Sequence, residues 1–265
     1  MTDHRLTPDP SRVNMSQAMQ IGSAVADIRR SPGGRRDRQA VFGAEAKVLS
    51  QGDGWSYVQM AADGYCGFVA SDALTAILTP THRVTAPATH AYADADLKSP
   101  DQLALSFGSL VTVTAERNRF GETSVGHIPL QHLMPVSRFA TDPGDVARLF
   151  LGTPYLWGGN SRWGIDCSGL IQAAFLACAI PCPGDSDQQR DSLADHLPDG
   201  TAPKRNDLLF WKGHVALVLE PNLMIHANAH AMAVTLEPID DAIQRIAKTD
   251  GPVTAHKRLT SLELS

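Results

Sequence analysis

The sequence predicts an α+β domain at its C-terminal end, preceded by two small all-β barrels, and three observations carry that prediction. From about Gln39 the chain falls into short β-like runs separated by turns. The same texture then returns as a weaker copy, the mark of a tandem module. Beyond Asp142-Pro143-Gly144, a helical period is followed by four consecutive strand-like runs, so one helix packs on an antiparallel sheet.

Residues 1–37 are rich in Arg, Asp, Pro, Ser and Gly, although Val13 to Ile28 holds enough Met, Ala and Ile for a short helix or strand. They are read as a segment ahead of the first barrel, which is placed at 38–80. Its strands are Ala46-Lys47-Val48-Leu49, Trp55-Ser56-Tyr57-Val58-Gln59 and Gly67-Phe68-Val69, with Gln51-Gly52-Asp53-Gly54 as a turn. Strands this short cannot bury both faces alone, so a closed or half-closed barrel is expected. In the second barrel, 81–137, Phe107-Gly108-Ser109-Leu110-Val111-Thr112-Val113 echoes Phe42-Gly43-Ala44-Glu45-Ala46-Lys47-Val48. Ile128-Pro129-Leu130-Gln131-His132-Leu133 likewise echoes Phe68-Val69-Ala70-Ser71-Asp72-Ala73-Leu74.

Arg138 to Gly144 has linker composition and leads into a helix-like run from Asp145 to Leu151, which places the third domain at 138–265. Leu170, Ile171, Ala174, Phe175 and Cys178 recur at helical spacing and predict an amphipathic helix over 167–179, stopped by Pro181 and Pro183. Strands are predicted at Asp207–Trp211, Val215–Leu219, Leu223–His226 and Ala233–Leu236.

At 265 residues the chain holds more than one core, and its 43% hydrophobic and 19% charged residues are those of a globular protein. No stretch reaches the roughly 20 apolar residues of a membrane span. A net charge of −5 argues against general binding to nucleic acid or anionic membrane, and Arg29-Arg30 with Arg35-Arg36 are read as a solvated loop. The first ten residues are polar and proline-bearing where a secretory signal needs an apolar core, so a cytoplasmic location is expected. In that compartment Cys66, Cys167, Cys178 and Cys182 stay thiols. None of the four falls in a C-x-x-C pair, and neither a metal nor a cofactor is expected.

Cys167 opens its helix, with Asp166 or Ser168 available as the cap. Unpaired N–H groups at a helix start favour thiolate and can hold an oxyanion. Alone, such a cysteine is better explained by a buried structural thiol. A hairpin centred on Glu220-Pro221-Asn222 would set His214 directly opposite His226, and a register slip of two would leave them diagonal neighbours. A thiol, a base and a group that orients the base would then be in one place. Two facing histidines can also ligate zinc, but no carboxylate in the sequence pattern joins them. His230 is read as a loop or surface residue.

Tyr155-Leu156-Trp157-Gly158-Gly159, Asp166-Cys167-Ser168-Gly169-Leu170, Gly213-His214-Val215-Ala216 and Ile225-His226-Ala227 together resemble the NlpC family of bacterial cell-wall cysteine peptidases, which are papain-like in fold. Asp53-Gly54-Trp55 and Asp63-Gly64-Tyr65-Cys66-Gly67-Phe68-Val69 resemble bacterial SH3-like domains. The resemblance implies a papain-like cysteine peptidase domain behind two SH3-like barrels. It implies cleavage between γ-D-glutamyl and a diamino acid in peptidoglycan stem peptides, with Cys167 as nucleophile, His214 as base and His226 orienting it. Tyr155 matches a tyrosine that helps the oxyanion site.

Asp185-Ser186 matches a pair that binds a free N-terminal ammonium, although Asp185 also suits a turn or helix cap. Tyr65 matches a first-barrel tyrosine that reaches the same amine, or it belongs to the barrel core. Relatives often read Gly-Glu where this chain has Gly43-Ala44-Glu45, so Glu45 stands in for the acidic contact or that contact is missing. The expected partner is a small peptidoglycan-derived peptide met during wall recycling. The rival expectations are an exported hydrolase of polymeric peptidoglycan and an inactive wall-peptide-binding module.

Overall fold

The computed structural model describes residues 3–259, and the chain divides into two compact units between Arg138 and Phe139. The first unit is built of strands. β1 (Gln17–Ile21), β2 (Val25–Arg29), β3 (Arg36–Val41), β4 (Glu45–Gly52), β5 (Trp55–Met60), β6 (Cys66–Ala70) and β7 (Leu74–Ala76) form one sheet in the order β3-β2-β6-β5-β4-β1-β7. Ile21, Ala26, Ile28, Val48, Val58 and Val69 make its core.

The sheet thus takes in strands from 17 onward, from the stretch read as preceding a barrel at 38. The reason is a period of two: Ala26 and Ile28 point inward while Asp27 and Arg29 point out. The arginines read as a loop belong to the β2–β3 hairpin, where Arg29 Nη2 pairs with Asp27 at 2.8 Å, Arg30 Nη2 with Asp37 at 3.0 Å and Arg36 Nη1 with Asp27 at 3.5 Å.

Eight shorter strands follow: β8 (His82–Val84), β9 (Ala88–Tyr92), β10 (Asp101–Ser106), β11 (Leu110–Val111), β12 (Ala115–Arg117), β13 (Phe120–Thr123), β14 (Gly126–Pro129) and β15 (Leu133–Pro135). They form a five-stranded sheet, β10-β9-β14-β13-β12, and a three-stranded one, β11-β8-β15, over a shared core of Val84, Ala91, Leu105, Val111 and Ile128. The sequence echo has a local counterpart. Gly43 (φ +79°) and Gly108 (φ +83°) turn the chain ahead of β4 and β11, a backbone conformation that favours glycine. The 3-10 turns Ser71–Ala73 and Leu130–His132 lead into β7 and β15.

The second unit starts with α1 (Pro143–Arg148), capped by Asp142, whose Oδ1 accepts from Gly144 N at 2.8 Å. A short hairpin of β16 (Asn160–Ser161) and β17 (Gly164–Ile165) precedes α2 (Cys167–Ala177) and α3 (Ser186–Ser192). The sheet follows: β18 (Asp195–His196), β19 (Leu208–Trp211), β20 (His214–Glu220), β21 (Leu223–Asn228), β22 (Ala233–Pro238) and, after α4 (Ile239–Ile246), β23 (Ala255–Arg258), in the order β18-β23-β19-β20-β21-β22. α2 lies along β20 and β21, and α4 buries Ile239, Ala242 and Ile246 against Leu209, Trp211, Ala216, Val218 and Met224. Cover on both faces explains why Val215 to Leu219 reads as one apolar run rather than alternating. Among the described residues, no helix is long and apolar enough to cross a membrane.

Candidate active site

The glycines of the central motif are spacers. A Cβ on Gly159 would stand 2.5 Å from the Gly164 carbonyl oxygen, and one on Gly169 would stand 2.6 Å from that of Gly159. Their absence lets the β16–β17 hairpin close onto the first turn of α2. Asp166 is the N-cap: Oδ1 accepts from Gly169 N at 2.7 Å and from Ser168 Oγ at 3.1 Å, while Oδ2 accepts from Gly158 N at 2.8 Å.

Cys167 is therefore the first residue of α2, 7% exposed, with its Sγ 3.9 Å from the Gly213 carbonyl oxygen. The sulfur also faces the backbone N–H of Val215, so it lies against the strand start on either side of His214. The helix-start argument alone expected an easily ionised thiol, and the structure corrects it. Burial, with the charge of Asp166 adding to it, pushes the thiol up to about 12 against the N–H groups of Val215, Ser168 and Cys167. The resting group is a thiol.

His214 and His226 are brought together, though not as directly opposed residues. β20 pairs Leu217 with Ile225 and Val218 with Met224, then closes Glu220 on Leu223, which leaves Leu219 as a bulge. Carried one step further, that register sets His226 beside Ala216 and makes His214 its diagonal neighbour on the same face. The rings compensate: His214 Nε2 is 2.9 Å from His226 Nδ1. At that distance one of the two nitrogens donates and the other accepts.

His226 is fully buried, and the sequence reading missed its next partner. Glu237 sits opposite Met224, which places it diagonal to His226 across β21 and β22. His226 Nε2 lies 2.9 Å from Glu237 Oε2, and Arg245 of α4 donates to both carboxylate oxygens, from Nε to Oε1 at 2.9 Å and from Nη2 to Oε2 at 2.6 Å. Arg245, helped by His226 and opposed by burial, holds the Glu237 carboxyl below its ordinary range. Burial, then His226 and Arg245, brings His214 down to about 3 in spite of Glu237. Burial brings His226 down to about 4, again opposed by Glu237. Both imidazoles rest neutral at pH 7.

Tyr155 joins the site through two bridges, one antiparallel from Pro154 to Ala233 and one parallel from Tyr155 to Ile165, and its N–H donates to the Met232 carbonyl at 2.9 Å. Burial first, then the charges of Cys167 and Asp166, push its phenol up, so it remains a neutral O–H donor near Cys167. Asp185 is the N-cap of α3 in a capping box with Gln188, and Ser186 is the first residue of that helix. α3 is tied to the first turn of α2 by Gln189, whose Nε2 donates to the Ser168 carbonyl at 2.9 Å.

Tyr65 and Glu45 belong to the first unit. Tyr65 is 3% exposed in the core of its sheet, with the Arg38 guanidinium 5.6 Å from the ring centroid, and Glu45 is exposed at the start of β4. His230 is exposed in the turn between β21 and β22, and all four cysteines are free thiols.

Comparison with known proteins places this site in a family. Residues 152–248 match the NlpC/P60 family and residues 28–74 match the bacterial dipeptidyl-peptidase Sh3 domain, so the chain carries an NlpC/P60 domain behind a bacterial SH3 domain. The SH3 match begins ten residues ahead of the expected boundary at 38, within the strands the structure adds. The chain is 32% identical to dipeptidyl-peptidase 6 of Lysinibacillus sphaericus over 116 residues, 42% of this chain and 41% of that protein. It is 29% identical over 158 residues to a gamma-D-glutamyl-L-lysine dipeptidyl-peptidase of Bacillus subtilis, 54% of this chain and 52% of that one. The chain thus spans about half or less of the length of these relatives. Among solved structures, an NlpC/P60 family protein from Bacillus cereus superposes with a TM-score of 0.75 over 91% of this chain and 99% of that chain. At 19% identity this is a likeness of fold.

Proposed function

We propose that the protein is a cysteine endopeptidase that cleaves the γ-D-glutamyl–diamino acid bond of small peptidoglycan stem peptides. The observation that carries the reading is the Cys167 thiol, held at the start of α2 against the backbone around His214, which is itself bonded to His226. The names of the relatives support the substrate class.

In this reading the thiol proton passes to the free nitrogen of His214 as Sγ attacks the scissile carbonyl carbon. The oxyanion is held by N–H groups at the start of α2 and by the Tyr155 hydroxyl. Collapse breaks the C–N bond, and His214 returns its proton to the departing amine, leaving a thioester on Cys167. Water then attacks the thioester with His214 taking its proton; the carboxylic acid leaves and the thiol is restored. His226 orients the base throughout.

Asp185 and Ser186, at the head of a helix tied to Ser168, are proposed to take the free N-terminal ammonium of an L-alanine. Recognition of a free amine suits small released peptides in the cytoplasm rather than the polymer, and cell fractionation checks that location. The first unit is proposed to be two SH3-like barrels, over 17–76 and 82–135. Mass spectrometry of L-Ala-γ-D-Glu-diaminopimelate incubated with the protein should show release of L-Ala-γ-D-Glu, none with Cys167→Ala, and resistance of the N-acetylated peptide. Equal cleavage of free and acetylated peptides would remove amine recognition from the proposal. No cleavage of either, with lysine or diaminopimelate, would remove the substrate class.

A further inference from the structure

The two-histidine pair leaves one question open: which nitrogen of His214 holds the lone pair. A hydrogen bond between two neutral imidazoles can run in either direction, and only one direction gives Cys167 a base. We propose that Glu237 and Arg245 are positioning residues that fix this direction, by holding the proton of His226 on Nε2 and so leaving the lone pair of His214 on Nδ1. The proposal rests on the reading of His214 as the base.

Arg245 meets both oxygens of Glu237, so the carboxylate is an acceptor without a proton of its own. The 2.9 Å contact to His226 Nε2 is then a hydrogen bond only if that nitrogen carries the proton. His226 is fully buried and neutral, which makes its Nδ1 a lone pair. The 2.9 Å contact to His214 Nε2 therefore has His214 as donor, and the other nitrogen of His214 is an acceptor. Reverse the order at His226 and His214 Nδ1 carries a proton, with no base left for the thiol.

A stabilising role explains the pair less well. The side chains of Glu237 and Arg245 are 19% and 28% exposed, so the pair is only partly buried. α4 is already held by Ile239, Ala242 and Ile246. The other charges that face the assembly are Asp250, which acts on Arg245 from beyond α4, and Asp166, which acts on Cys167 from the cap of α2. Neither reaches His226 Nε2 as a partner. Glutamine cannot replace Glu237 here: three donor groups converge on two oxygens, so either placement of the amide sets its NH2 against Arg245 or against His226.

The test uses the full chain, labelled with 15N-histidine, and the variants Glu237→Gln and Arg245→Met. Long-range 1H–15N spectra, assigned with His214→Ala and His226→Ala, should show His214 and His226 both protonated on Nε2 in the unaltered protein. In Glu237→Gln, His214 should shift toward the Nδ1-protonated form. Peptide-level mass spectrometry of Cys167 alkylation by iodoacetamide should show a rate lowered roughly 10- to 100-fold in Glu237→Gln at pH 7. The acid limb of that rate should move to lower pH in Glu237→Gln and to higher pH in Arg245→Met, since one removes the negative charge beside the imidazoles and the other unmasks it. A purely structural pair would instead give both variants the same loss of thermal stability and one unmoved limb. Retention of the Nε2 tautomer on His214 in Glu237→Gln, with an unchanged alkylation profile, overturns the proposal. Failure to cleave stem peptides removes only the substrate, because tautomer and alkylation are read without it.

Discussion

The second unit contains two clusters of the same chemistry, and they differ in what stands at the open end. In one, His226, Glu237 and Arg245 are bonded in series, and His214 continues the chain toward Cys167. In the other, His256 Nε2 lies 2.7 Å from Asp207 Oδ2, and Arg258 donates to both oxygens of the same carboxylate at 2.7 Å. Lys204 N adds a further donor at 2.8 Å. Asp207 is completely buried, and although burial pushes it up, Arg258, the Lys204 N–H and His256 outweigh that and hold it below its ordinary range. A histidine, a carboxylate and an arginine thus do not make a site. In the second cluster the His256 and Arg258 side chains converge on Asp207 and fasten β19 to β23; in the first the series continues to His214, whose flanking backbone meets the Cys167 sulfur.

The largest effect expected of the comparison is at Cys167. Cys167→Ala should lower peptide hydrolysis by about 10⁴-fold or more, because the thioester can no longer form, while a thermal melt stays close to the unaltered protein. A variant that keeps even a hundredth of the activity breaks the assignment of the first cluster. The mirror experiment is Asp207→Asn. It leaves the Arg258 charge without its partner and sets an NH2 among converging donors, for a loss of about 3 kcal/mol, taken at the low end because Arg258 is partly exposed. Turnover per folded molecule should be unchanged, and urea unfolding alongside kcat separates the two. A loss of kcat at full folding would mean the clusters are not separate in function.

Those two clusters also mark how far the sequence could be read. α2 and the strands from Leu208 to Pro238 were legible because buried positions leave apolar runs, and His214 with His226 was legible because a short turn fixes a hairpin's partners to within two residues. The bulge at Leu219 changed the register without separating the rings, as diagonal neighbours on one face stay within reach. Glu237 was not legible: at the end of β22 it looks like an ordinary exposed strand residue, and only the pairing of Met224 with Glu237 sets it beside His226. Asp207, His256 and Arg258 were hidden more completely, since β23 reads Ala-His-Lys-Arg and carries no apolar pattern. β2 was masked in the same way, by arginine and aspartate ladders on its outer face. The ease expected of the Cys167 thiol failed for another reason: a helix start is visible in sequence, but the burial that opposes it is not.

A pH dependence of stability is the next effect in size. His226 is neutral in the fold until about pH 4, whereas the unfolded chain takes up the proton near the ordinary 6.5. Its contribution is therefore whole above pH 6.5 and is lost as the pH falls toward 4, by on the order of 3 kcal/mol. His214, lowered to about 3, acts in the same direction and over the same upper limit. Melting temperatures at pH 7.5, 5.5 and 4.5 should fall, and the fall should be smaller in His226→Gln. An equal fall in both proteins would show that other groups carry it.

The smallest effect is expected at His256, a histidine in the cluster that leads nowhere. His256→Gln removes one of the donors to Asp207 but leaves both Arg258 bonds and the Lys204 N–H, and the glutamine amide can itself donate. A loss of about 1 kcal/mol is expected, the value of one hydrogen bond to a charged group partly replaced. Hydrolysis and the alkylation rate of Cys167 should match the unaltered protein. The equivalent His226→Gln should do the reverse, with turnover down roughly 100-fold, since glutamine cannot pass on the direction that Glu237 imposes on His214. If the two substitutions gave the same loss of turnover, the distinction between a cluster that fastens strands and one that aims a base would fail, and with it the reason for placing the chemistry at Cys167.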